Sequence, residues 1–163
     1  MKIRNILILA ILGITISIQA QDYKSAIGLR LGYPLSVTYK MFISEKAALE
    51  FVAGYRNTSY WNYLNVGAYY QHHMPISSVD GLNWYVGGGA NVFFWSYDDV
   101  FYANNDYGST NFGISGCIGL DYKFANSPIN LSVDWIPTFF ISSDIYTGFR
   151  GDNGAFAIRY TIN

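Results

Sequence analysis

Between Ser109 and Phe124 the chain reads STNFGISGCIGLDYKF, and two residue sets alternate along it without a break. Even positions hold Thr110, Phe112, Ile114, Gly116, Ile118, Leu120, Tyr122 and Phe124; odd positions hold Ser109, Asn111, Gly113, Ser115, Cys117, Gly119, Asp121 and Lys123. Successive strand side chains point to opposite faces, so this is a strand with one apolar, ring-ended face and one small, polar face. It is long for an ordinary sheet, whose strands run about 5 to 6 residues. A strand tilted across a bilayer needs roughly 9 to 11, with aromatic rings at both water boundaries. The segment therefore reads as one stave of a membrane-spanning β-barrel.

Residues 1–20 are set apart from the fold. Lys2 and Arg4 precede an apolar run from Ile6 to Ile18, and Ser17 near its end with Gln19 and Ala20 after it forms a cleavage region, the pattern of a secretory signal peptide. The run is short of the roughly 20 residues of a spanning helix. The barrel is expected over 21–163, with Gln21 as its first residue. Cys117 is the sole cysteine, so no intrachain disulfide forms and no cysteine follows the apolar run for lipid attachment.

Charged residues make up 13% of the chain against about 25% in soluble proteins. Apolar side chains are spread in alternation instead of gathered into core runs. Aromatics at 18%, mostly tyrosine and phenylalanine, suit a water–lipid boundary. A net charge of -1 leaves no nucleic-acid footprint.

The same parity marks seven further strands, over 25–33, 35–43, 47–56, 62–73, 82–95, 129–136 and 155–162. Turns are expected at 44–46, at 74–81, where Pro75 and Asp80-Gly81 break the strand, and at 125–128. Loops fall at the other end, two of them long, at about 96–108 and 137–154. The fold class is thus all-β, an eight-stranded antiparallel up-and-down transmembrane barrel, with short links at one end and long ones at the other.

A soluble eight-stranded barrel of the lipocalin kind alternates as well, and size decides between them. Eight strands enclose a bore that side chains just fill, so the face of Gly28, Gly32, Gly87, Gly89, Gly113, Ser115, Cys117 and Gly119 belongs inside. The bulky apolar face then looks outward, which water penalises and lipid demands. The inner face also carries Arg30, Lys40, Glu50, Asp121, Asp134 and Arg159. Unpaired charges in so tight a space are costly. They are expected to form a paired polar network that plugs the bore, for instance Arg159 with Asp134 and Lys40 with Glu50. Tyr85 and Phe93 add bulk to the blockage, and Cys117 is a small buried filler.

Chemistry finds little support. The histidines, His72 and His73, lie beside a turn and begin no His-X-Ser arrangement, and as neighbours on a strand they face opposite ways and share no metal. No catalytic residue, metal or cofactor is expected. Binding falls to the loops. Tyr97, Asp98, Asp99, Tyr102, Asp106 and Tyr107 are the candidate interaction residues, suited to divalent cations that bridge lipopolysaccharide or to a protein partner. Arg150-Gly151-Asp152 spells an adhesion tripeptide, a match short enough to arise by chance.

The alternating strands, the segments GGGANVFFW and GCIGLDYKF and the closing AFAIRYTIN resemble the small eight-stranded outer-membrane barrels of the OmpA and OmpX kind. That resemblance implies insertion by the outer-membrane assembly machinery, periplasmic termini and extracellular loops. Such barrels commonly end on an aromatic residue, whereas here Tyr160 and Ile162 keep the alternation and Asn163 follows. No peptidoglycan-binding domain of the OmpA kind is expected after the last strand. The expected role is that of a monomer with structural or surface-interaction work, in contact with outer-membrane lipid and lipopolysaccharide. The extracellular partner is left unnamed by the residues. Two alternatives are an OmpW-like conduit for small or apolar solutes and a lipid A modifying enzyme.

Overall fold

A computed structural model describes residues 23–97, 108–142 and 147–162. Ten strands form: β1 (Ser25–Gly32), β2 (Leu35–Phe42), β3 (Ala47–Asn57), β4 (Trp61–Pro75), β5 (Leu82–Tyr97), β6 (Gly108–Lys123), β7 (Ile129–Trp135), β8 (Thr138–Ser142), β9 (Gly148–Arg150) and β10 (Gly154–Ile162). All pairings are antiparallel, and the β5–β6 pairing closes the sheet on itself. Closure removes the edges along the body of the barrel, and among the described residues the short β9 pairs with β8 alone.

The ten strands make eight staves, because β7 with β8 and β9 with β10 each form one interrupted stave. Both β7 and β8 pair with β6, and their register runs on unchanged across Ile136-Pro137. Proline cannot donate to the ladder, so the strand breaks there by one hydrogen bond without changing direction. The carbonyl of Pro137 still accepts from the Gly116 N–H at 3.0 Å. Between β9 and β10 the chain bulges at 151–153, where the Trp135 indole donates to the Gly151 carbonyl at 2.7 Å. The expected long loop over 137–154 is therefore corrected: much of it is wall. Thr138 and Phe140 are buried while Phe139 and Ile141 are exposed, the alternation that the proline masks.

Parity along β6 holds throughout. Ile118 and Leu120 are 47% and 42% exposed, whereas Asp121 is 1% exposed. The outward set of the other staves is equally apolar, from Ile27, Leu29 and Leu31 to Phe156, Ile158 and Tyr160.

Glycine placement explains how so narrow a cylinder closes. An added Cβ at Gly87 would lie 1.8 Å from the Tyr70 carbonyl oxygen, and at Gly89 2.0 Å from that of Ala68. The wall curves so sharply here that inward side chains would strike the neighbouring backbone. Elsewhere inward glycines make room for rings. The Tyr85 ring lies over Gly119, its direct partner across the strands, and the Tyr69 ring lies over Gly67. Small and large residues thus interdigitate until the bore is full.

Candidate functional site

The strand register stacks the buried side chains of the bore in layers. At the end where the chain enters β1 and leaves β10, Tyr23, Ala26, Phe42 and Ala48 form an apolar base. His73 joins it edge-on to Phe42 and stacks on Tyr85, each at a ring separation of 4.9 Å. His72 points the other way and is half-buried. The Nδ1 atom of His73 has no hydrogen-bond partner among the described residues.

Above the base lie the six charged residues, each nearly or wholly excluded from solvent. Arg30 donates both terminal nitrogens to Asp134, at 2.7 Å each, a bidentate pair. Lys40 donates to Asp121 at 2.9 Å. Arg159 donates to Glu50, and through its other terminal nitrogen to Ser132 at 2.7 Å and Asn130 at 3.2 Å. Three cations thus face three carboxylates.

The partners differ from the expected ones. Arg159 does not bond Asp134, and Lys40 does not bond Glu50 although the two stand directly opposite on β2 and β3. The pairs instead cross the bore. Lys40 on β2 reaches Asp121 on β6, four staves away, and Arg159 on β10 reaches Glu50 on β3, three staves away. Glu50 moreover accepts from Thr38 and from Gln71, each at 2.5 Å, and lies 3.7 Å from Arg30. A carboxylate so surrounded is satisfied by neutral donors as well as by charge, as a buried ion requires.

Neutral groups complete the layer, among them Tyr85, expected above only as bulk in the bore. Tyr85 donates to Asp134 at 2.7 Å, and Asn130 donates to Asp121 at 2.6 Å. Further along the bore Tyr69 donates to Asn91, Asn91 donates to Ser115 at 2.5 Å, and the Ser115 and Thr138 hydroxyls share a bond of 2.7 Å. All lie at inward parity, so the signal that marked the charges marks these residues too. Tyr63, Phe93 and Phe140, with Trp61 and Trp95 packed against them, fill the far end. Cys117 is buried and reduced.

Comparison with solved structures gives the fold its relatives. The crystal structure of Neisserial surface protein A (NspA) matches with a TM-score of 0.60 and 14% identity, over 85% of this chain and 93% of that one. The N-terminal β-barrel domain of Pseudomonas aeruginosa OprF matches with a TM-score of 0.60 and 11% identity, over 85% and 95%. The fold is that of a small OmpA-type barrel. No protein-family model matches the chain, and no curated protein matches it. At such low identity the likeness to these barrels is one of architecture, and the side chains that fill this one are its own.

Of the candidate loop residues, Asp98, Asp99, Tyr102, Asp106 and Tyr107 lie outside the described residues, as does the side chain of Tyr97. The adhesion-like tripeptide is described, and its charges are spent on each other. Arg150 donates to Asp152 through Nε at 2.7 Å and Nη2 at 3.0 Å.

Proposed function

We propose that this chain is an integral barrel of the bacterial outer membrane, with periplasmic termini, extracellular links at the aromatic end, and a filled bore. Its work is structural or surface-interactive, as a monomer, without passage of solute and without chemistry. The observation that carries this reading is the sorting of side chains across the wall. Leu120 and Asp121 are neighbours in sequence, yet one is exposed and the other is ion-paired in the bore. Water would penalise the apolar exterior and lipid accommodates it. The paired charges, the ring-filled end and the apolar base together support a plugged lumen.

Fractionation and a detergent gel test the placement. The folded protein should partition with the outer membrane and run faster unheated than boiled; recovery from the soluble fraction with a single mobility would overturn it. Lipid A from cells with and without the gene should give the same acyl pattern by mass spectrometry. A changed pattern would restore the enzyme reading.

A further inference from the structure

At the end of the barrel away from the termini, Arg56 closes β3 with its guanidinium carbon 4.4 Å from the centre of the Tyr33 ring and 5.1 Å from that of Trp61. Two rings flank the half-buried cation and restrict its orientation. Among the described residues no carboxylate lies within ion-pair distance of it. The nearby Asp152 is already engaged. Its two oxygens accept from Arg150, and these hydrogen bonds, with smaller help from the Arg150 and Arg56 charges, hold its carboxyl below the usual carboxylate range. Around this site Tyr33, Tyr55 and Tyr60 are 63%, 54% and 64% exposed, a cluster of amphipathic rings of the kind that settles at headgroup level.

We infer that Arg56 and the surrounding rim bind the phosphate group of an outer-leaflet glycolipid headgroup. The inference rests on the membrane placement proposed above. A guanidinium presents a planar fork of donors that matches phosphate oxygens two at a time, and stacking between rings orients that fork before the ligand arrives. The pose leaves the rings to cover the ligand's apolar and sugar faces, while the guanidinium supplies the charge. Lysine would keep the charge and lose both the fork and the stacking.

The test uses the full barrel in mild detergent, with native mass spectrometry reading retention of a phosphorylated glycolipid against its dephosphorylated form. The native protein should retain the phosphorylated form preferentially. Arg56→Gln should weaken that retention at least tenfold, equivalent to about 1.4 kcal/mol or more. Arg56→Lys should fall between the two. Tryptophan emission, with Trp61 beside the cation, should respond to inorganic phosphate at constant ionic strength in the native protein and not in Arg56→Gln. An unchanged heat-dependent gel shift certifies that the variants are folded. Equal retention of both glycolipids, or equal retention by native protein and Arg56→Gln, would overturn the inference. Failure of the membrane placement shows separately, as absence from the outer-membrane fraction, whereas failure here leaves that fractionation intact.

Discussion

Arg30 and Asp134 meet face to face above stave eight, each guanidinium nitrogen 2.7 Å from its own carboxylate oxygen. The stave between them contributes Ala155 and Ala157, whose small side chains leave the space the pair occupies. Size and charge are therefore matched across three staves. The bore is filled with side chains, and this ionic contact fits there because two alanines lie beside it.

Breaking this pair on one side should be expensive. Asp134→Leu leaves Arg30 buried beside the more distant Glu50, and Arg30→Met leaves Asp134 with the Tyr85 hydroxyl. Each single change should cost about 3 to 5 kcal/mol of unfolding free energy, while the double change should cost much less than their sum. Urea unfolding in vesicles, read by the loss of the faster gel band, measures all three. Additive losses would show that the two groups do not act together.

Arg159→Leu should lower the thermal unfolding temperature, because it leaves Glu50 without its main cation in a site closed to water. Thermal denaturation of the native and variant barrels is the check. An unchanged temperature would remove the cross-bore network from the account.

Conductance tests the filled lumen. Purified barrel in a planar bilayer should give no steady single-channel current, since base, ionic layer and aromatic end each obstruct the path. A steady open level would return the conduit reading to first place.

Glycine sites separate curvature from mere smallness. Gly89→Leu should abolish the folded gel band, because its Cβ would meet the Ala68 carbonyl at 2.0 Å. Gly116→Ala should fold, since the nearest atom to its added Cβ is the Pro137 ring at 3.8 Å. Equal tolerance at both positions would contradict the wall geometry.

Much of this architecture was legible in parity alone. Strands β1 to β6 needed only the alternation and the turn residues at 44–46, 74–81 and 125–128 to be located. Tyrosines stand at both parities of β4, and the structure sorts them, with Tyr63 and Tyr69 inward and Tyr70 outward. Staves seven and eight were read only in part: their β7 and β10 segments follow the alternation at 129–136 and 155–162, whereas β8 and β9 were hidden because Pro137 and the glycines around 148–154 carry turn signals inside the wall. The six bore charges could be read from their parity, but their partners could not. Pairing across a lumen joins residues two to four staves apart, and no local spacing records that distance. Arg56 was likewise silent in sequence, since its position between Tyr33 and Trp61 depends on how three staves end at one rim.

The membrane placement predicts a cost for charge on the outer face. Ile118→Arg should destabilise the barrel by about 2 to 4 kcal/mol if this residue lies near the bilayer midplane, while Ile118→Leu should cost less than about 1.5 kcal/mol. Equilibrium unfolding in vesicles reads both. Equal stabilities would argue against lipid around this stave.

Which face meets lipid is the point on which everything else turns, and spin labels along β6 read it residue by residue. With Cys117 replaced by alanine, single cysteines at 112–120 would each carry a nitroxide in vesicle-embedded protein. Collision with dissolved oxygen should peak at positions 112, 114, 118 and 120 and fall at 113, 115 and 119, with a polar nickel reagent excluded from the peaks. Oxygen maxima at the odd positions, or free access of the nickel reagent to Ile118 and Leu120, would contradict the account.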